Sequence, residues 1–231
     1  MSALSVYTAN FADYDVVHEP RCVDHPYFCF TDAQSHCPER SLWKPVLVEP
    51  TQKTPRLESR WHKLHSHRLF PHAEWTLYFD ASLQLHRCPL DFLGWCRSAT
   101  GKPDCDLYLF EHPDRDCLYD EAKICMEWGK DTREHIEPHV ANYRAMAFPE
   151  HKGLWFAGVL LRRNTASVKQ FNEMWWWEIL NGSRRDQISL PVVLTFSRIP
   201  FATLPAGTLT DWFAWRADHS AKPEGGEWGH S

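Results

Sequence analysis

The sequence predicts a single α/β domain built on a mostly parallel sheet. Three observations carry this. Short apolar segments alternate with longer amphipathic ones along the chain, the pattern of a sheet with helices on its faces. The segment Trp75 to Phe79 is nearly all apolar, as a strand buried on both faces requires. No Gly/Ser/Pro-rich linker divides the 231 residues, a length one domain can hold.

The elements follow in order. A first strand is expected from Ala3 to Ala9, so near residue one that no segment is expected ahead of the domain. Phe28 to Thr31 is a second strand, running into Asp32, and Lys44 to Val48 a third. Thr51 to Arg56, with Pro50 before it and Pro55 inside, reads as a loop. Leu57 to Phe70 reads as one helix ended by Pro71. Leu57, Trp61 and Leu64 would pack on the sheet, while Arg60, Lys63 and His67 form a cationic stripe at i, i+3, i+7. Trp75 to Phe79 is the central strand and ends in Asp80. A helix is expected over Leu90 to Arg97, a strand over Asp106 to Phe110, helices over Tyr119 to Trp128 and His135 to Met146, and a strand over Leu154 to Arg162.

Ser167 to Gln170 reads S-x-x-Q, the pattern of a capping box. The helix behind it carries Val168, Phe171, Trp175 and Ile179 on one face, and Gly182 closes it. Asp186 or Ser189 caps the last helix; Pro191 fits its first turn only if Ser189 is the cap. The domain is expected over residues 1–220, with 221–231 a loose polar tail.

Composition narrows the function. With 43% hydrophobic residues the chain can bury a full core. Twelve Trp suit sugar stacking, although large aromatics filling a core explain most of them. The formal net charge is -5 with the 14 His neutral, so no basic footprint advertises nucleic acid. Arg162-Arg163 and Arg184-Arg185 are too short for such a patch but fit beside phosphates. Eight Cys without a C-x-x-C pair read as reduced thiols. No basic leader precedes an apolar stretch, and no apolar run approaches 18 residues. A cytoplasmic protein with no membrane span is the expectation.

Four constellations bear chemistry. Asp80, at the end of a parallel strand, stands where ligands bind in open α/β sheets. There it either holds Mn²⁺ or Mg²⁺ against a diphosphate or simply caps a turn. The stripe Arg60, Lys63, His67 either grips phosphate or is a solvated face. Gly158, within W-F-A-G, lets a ligand approach the backbone or allows tight packing. Asp186-Gln187 serves an acceptor or sugar hydroxyl, or Asp186 is a plain helix cap. His62, His65 and His67 do not make a zinc site on one helix, because His65 and His67 would point about 200° apart. The run His112 to Glu121, H-P-D-R-D-C-L-Y-D-E, reads as a charged loop entering a helix.

Taken as an ordered set, several segments resemble a known family. They are V-Y-T-A-N-F-A-D-Y-D, C-F-T-D, P-R-L-E-S-R-W-H-K-L, Y-F-D-A-S-L-Q-L, H-P-D-R-D-C-L-Y-D-E-A, F-P-E-H-K-G-L and W-W-W-E-I-L-N-G-S-R-R-D-Q-I-S-L, and they span about Val6 to Leu194. The resemblance is to the glycosyltransferase-like domain of plant proteins linked to mucilage or named ceramidases, and of many bacterial and phage proteins. It implies a GT-A-like, Rossmann-type fold and a nucleotide-diphosphate sugar as donor, with UDP the commonest choice. By position, Tyr7, Thr8 and Ala9 would line the nucleotide base site, with Asp32 near it. Arg60 and Lys63 would face the diphosphate. Asp80 and Ser82 would occupy the metal motif. Ala157 and Gly158 would lie beside the donor sugar, with Asp186 and Gln187 at the reaction centre. The motif reads Asp-Ala-Ser where the fold expects two carboxylates, so one carboxylate remains for Mn²⁺ or Mg²⁺, with His219 a candidate to complete the set.

The function expected is transfer of a sugar from that donor to an acceptor hydroxyl on a polysaccharide, a lipid intermediate or a modified DNA base. The alternatives are a non-catalytic sugar-nucleotide or glycan binding module, and a metal-dependent hydrolase using the His-rich surface.

Overall fold

The computed structural model describes residues 3–215. His219 and the tail from Ala221 lie outside the described residues. The strands are β1 (Leu4–Ala9), β2 (Tyr27–Thr31), β3 (Trp43–Leu47), β4 (Trp75–Phe79), β5 (Leu83–Leu85), β6 (Leu107–Glu111), β7 (Trp155–Arg163), β8 (Phe201–Leu204) and β9 (Phe213–Trp215). The helices are α1 (Pro55–Leu64), α2 (Ser66–Leu69), α3 (Pro89–Ala99), α4 (Leu118–Glu127), α5 (Arg133–Ala145), α6 (Ala166–Asn181) and α7 (Asp186–Ser197).

The seven-stranded sheet runs β3-β2-β1-β4-β7-β6-β8. β1 pairs in parallel with β2 and β4, β2 with β3, and β6 with β8. β7 alone runs against its neighbours β4 and β6. The expected α/β class and mostly parallel sheet are present, in the arrangement of a GT-A-like fold. A small antiparallel pair, β5 with β9, packs beside it.

Alternation sorts the strands onto two faces. Trp75, Leu77 and Phe79 enter the core on one face with Leu4, Val6 and Trp43. Tyr78 enters the other with Tyr7, Leu160 and the α6 residues Val168, Phe171, Trp175 and Ile179. That second face carries the candidate site. A smaller cluster joins α4, α5 and α7 through Leu118, Ile136, Ile188 and Val192.

Four local expectations are corrected. The expected helix over residues 57–70 is two: α1 ends at Leu64, His65 leaves helical geometry, and α2 is a single turn. The cause is Arg162, whose guanidinium donates to the Lys63 carbonyl at 2.7 Å and more weakly to that of Leu64 at 3.4 Å. A continuing helix would need those acceptors for its next turn. α1 also begins earlier than expected, with Thr54 as cap and Pro55 in the first position, where a missing N–H costs nothing.

The cap of α6 is Thr165, which accepts from the Val168 N–H, so Ser167 is not the cap. Asp106 decides this: its carboxylate accepts from both Thr165 (2.8 Å) and Ser167 (2.5 Å) and fixes the turn. Neither Asp186 nor Ser189 caps α7; Arg185 does, and Pro191 lies inside the helix. Pro191 has no N–H for the Gln187 carbonyl, and heavy burial along α7 holds the helix regardless. None of the eight Cys forms a disulfide. Among the described residues no helix is long and apolar enough to cross a membrane.

Candidate active site

Strands β1, β2 and β4 are mutually parallel and end on one edge, the edge where such sheets take ligands. β7 runs backwards and therefore begins there. The Asp80 N–H donates to the Gly158 carbonyl at 2.9 Å, which fixes the start of the Asp80-Ala81-Ser82 turn.

Three remote elements meet at that edge. From α1, Lys63 reaches Asp186 at 2.6 Å and Asp80 at 3.3 Å. Arg60, one turn earlier, reaches Asp186 at 3.4 Å. From β4, the Tyr78 hydroxyl donates to Asp80 Oδ1 at 2.8 Å, and its ring lies 5.2 Å from the Lys63 ammonium. Asp186 comes from the first position of α7, where the helix dipole favours a negative charge. The result is a quartet of two cations and two carboxylates.

Exposure differs across the quartet. The Lys63 side chain is 1% exposed and that of Asp186 4%, whereas that of Asp80 is 29% exposed. Burial alone would raise the Asp186 pKa, but Arg60 and Lys63 outweigh it and hold the carboxyl well below the usual range. Burial opposes the Arg60 charge too, yet Asp186 and Asp80 push its pKa up. Burial, with Asp80 beside it, pushes the Tyr78 hydroxyl well above its ordinary value, so it donates as a neutral phenol.

The structure brings the side chains of Arg60, Lys63, Asp80 and Asp186 into one cluster; the other candidates contribute no side chain to it. Tyr7 and Thr8 are wholly buried in β1. The Tyr7 hydroxyl donates to the Lys63 carbonyl (2.9 Å) and accepts from Arg162 (2.7 Å), so it supports the quartet from below. Ala9 is buried at the end of β1. Asp32 accepts from the Ala12 N–H and pairs with His36, shaping the loop that leaves β1. Ser82 is buried just before β5. Ala157 is buried; at Gly158 a Cβ would come within 2.3 Å of the Phe156 ring, so tight packing explains this glycine. His67 leaves the stripe and bonds Glu173 on α6. His62 packs on Phe11 and Phe30, away from the other two; His65 and His67, expected to point apart on one helix, instead lie 5.7 Å apart and both meet Glu173, because the helix breaks at His65.

Gln187 turns the other way. Its amide donates to Glu121 Oε1 at 3.1 Å, and Glu121 Oε2 accepts from Arg115 at 2.7 Å. The buried Glu121 thus joins the charged loop after β6 to the first turn of α7. That loop forms one wall of an open groove of about 450 Å³, lined by Glu111, Asp114, Arg115, Asp116, Trp155 and Thr203 among others. The Trp155 ring is half-buried, and its N–H donates to Thr203 at 3.0 Å. The chain Arg115–Glu121–Gln187 therefore links a wall of the groove to the first turn of α7, where Asp186 also lies.

Comparison with known proteins identifies the family. A family model described as the TOD1/MUCI70 glycosyltransferase-like domain matches residues 1–201. The chain belongs to that family. No curated protein matches it significantly. Membership in the TOD1/MUCI70 family makes glycosyl transfer the coarse functional class.

Sequence reading missed Tyr78, Arg162 and Glu121. Tyr78 had a signal: a phenol two residues before Asp80 on a strand lies on the same face. Arg162, expected beside phosphates, is fully buried and has no carboxylate partner among the described residues; burial pulls its pKa down, partly offset by Tyr7. Glu121 lay within the charged run, and nothing in its spacing marked it as buried.

Proposed function

We propose that this chain moves a sugar from a nucleotide-diphosphate donor to an acceptor hydroxyl. The convergence of Arg60, Lys63, Asp80 and Asp186 at the ligand edge of a family glycosyltransferase-like domain carries the reading. In the reaction the bond from the anomeric carbon to the diphosphate oxygen breaks. A bond to the acceptor oxygen forms, and the acceptor proton leaves. The chain's part is to align the reactants and to meet the charge that grows on the departing diphosphate.

The quartet sums to no net charge, so it cannot by itself balance a diphosphate. Asp80 is its exposed member, and only its Oδ1 is engaged, by Tyr78 and Lys63. A single free carboxylate oxygen fits Mg²⁺ or Mn²⁺, which bind through one or two carboxylates together with substrate phosphates and water. Asp80 would hold the ion, with the Ser82 hydroxyl beside it. When bound, the cation would supply positive charge to the leaving diphosphate. Lys63 then keeps Asp80 oriented and Asp186 ionised. A carboxylate held as acidic as Asp186 takes a proton poorly. This favours Asp186 as the group that orients a sugar hydroxyl over a general base, while Gln187 faces Glu121 instead.

The groove between the charged loop after β6 and Trp155 supports a glycan as the acceptor. Trp155 offers a ring for a sugar face, and Glu111, Asp114 and Asp116 offer hydroxyl acceptors. Three acids against Arg115 and His112 would repel a DNA backbone, so a modified base is the less favoured acceptor. A binding module without turnover is the second reading, favoured by the near-closed quartet.

A thermal-shift panel of UDP, GDP, CDP and ADP sugars, each with and without Mn²⁺, tests the proposal. A saturable shift with one nucleotide that needs Mn²⁺ and is lost in Asp80→Ala supports it. Turnover in the wild type, as slow donor hydrolysis or transfer, separates enzyme from binding module. Full activity in a folded Asp80→Ala would sink the scheme.

A further inference from the structure

Two of the family-like segments, H-P-D-R-D-C-L-Y-D-E-A and F-P-E-H-K-G-L, take little part in the quartet, yet they meet each other. Cys117, at the cap of α4, Asp120, in its first turn, and His151, in the turn before β7, each present one ligand atom within 4.8 Å of the other two. Among the described residues this is the one group of three or more His, Cys, Asp or Glu side chains so placed.

The histidine is already prepared for a ligand. His151 Nδ1 bonds Asp116 Oδ1 at 2.7 Å, which leaves Nε2 as the free nitrogen. A carboxylate on the far nitrogen of a histidine fixes its tautomer and orientation for metal binding. Asp116 is itself anchored, because its carbonyl accepts from the Gly153 N–H at 3.0 Å. The Tyr119 hydroxyl donates to the Phe148 carbonyl at 2.7 Å and ties α4 to the same turn. Both ligand-bearing segments are thus held together without any ion.

We propose that Cys117, Asp120 and His151 bind a zinc-class divalent cation, with Asp116 as the residue that positions His151. Sulfur, nitrogen and oxygen donors together select zinc over Mg²⁺ or Mn²⁺. A tetrahedral zinc site needs ligand atoms about 3.5 Å apart, a modest closure that the half-buried Asp120 and the exposed His151 side chains can make by rotation. Asp120 now pairs with Lys123 at 2.9 Å. That is an exposed ion pair, which a divalent cation would displace at little cost. Three protein ligands leave the fourth position to water. Asp116 and Gly153 line the groove, so the ion would stand at its rim. This site is independent of Asp80 and of the transferase reading.

The test is titration of the whole purified chain with Zn²⁺ by calorimetry, and with Co²⁺ by absorption. One Zn²⁺ per chain is expected, with a thiolate-to-cobalt charge-transfer band. Asp80→Ala should leave both unchanged. His151→Ala, exposed and safe for folding, should weaken binding at least 100-fold, and Cys117→Ser should abolish the charge-transfer band. Asp116→Ala should weaken binding about tenfold or more. Because Cys117 is buried, circular dichroism checks that its variant folds. No saturable Zn²⁺ binding, or binding undiminished in His151→Ala, overturns the proposal.

Discussion

Lys63 and Arg162 are both buried cations, at 1% and 0% exposure, and they meet at one residue. The Lys63 side chain points into the quartet, while its carbonyl accepts from Arg162. Their surroundings differ. Lys63 stands between two carboxylates, one of them reachable by solvent. Among the described residues Arg162 has only neutral partners: the Lys63 and Leu64 carbonyls, the Tyr7 hydroxyl and the Asn172 amide oxygen. A cation among carboxylates can exchange a partner for a ligand without leaving a bare charge. A cation among carbonyls is locked to the backbone it caps. The first arrangement suits a site, and the second suits the scaffold that aims the site.

Substitutions can break this contrast. Lys63→Met leaves Asp186 buried without its nearest counter-charge and should destabilise the fold by about 3–5 kcal/mol. Adding Asp186→Asn should restore much of that loss in urea denaturation. Equal losses in the single and double variants would show that the pair is not coupled.

Acid sharpens the same point. The folded pKa of Asp186 is depressed, so its ion pairs stabilise the fold fully above the ordinary carboxylate range. That stability is lost as pH falls through the range, about 4 for a free Asp, towards the lower folded value. Asp186→Asn should flatten the acid limb of a stability–pH curve; an unchanged limb would put the depression elsewhere.

Arg162→Met should cost less, about 2–3 kcal/mol. It removes charge-assisted hydrogen bonds but also a desolvated charge. Its signature is an altered near-ultraviolet dichroism from Tyr7 and Tyr78, both of which abut this region. Asp80→Asn should cost the fold least, about 1 kcal/mol or below, because the side chain is 29% exposed. Its effect should fall on donor-induced thermal shift instead. A larger stability loss than in Arg162→Met would reverse the assignment of scaffold and site.

Much of the fold was legible because local signals and tertiary packing agree. The unbroken apolar run Trp75 to Phe79 is a buried strand, and Val168, Phe171, Trp175 and Ile179 do share one buried face. Period and burial are written into side-chain order, so the chain alone determined them. It also determined which residue types could carry charge chemistry, and Arg60, Lys63, Asp80 and Asp186 meet in one cluster.

Tertiary structure decided the rest through partners remote in sequence. The reversal of β7, the break at His65 imposed by Arg162 and the choice of Thr165 over Ser167 as cap all depend on contacts no local pattern states. So does the state of Asp186. Its identity is local, but its acidity is set by Arg60 and Lys63, more than 100 positions away in the chain and a few ångströms away in space. Electrostatic energy depends on separation and burial, and the fold alone fixes both.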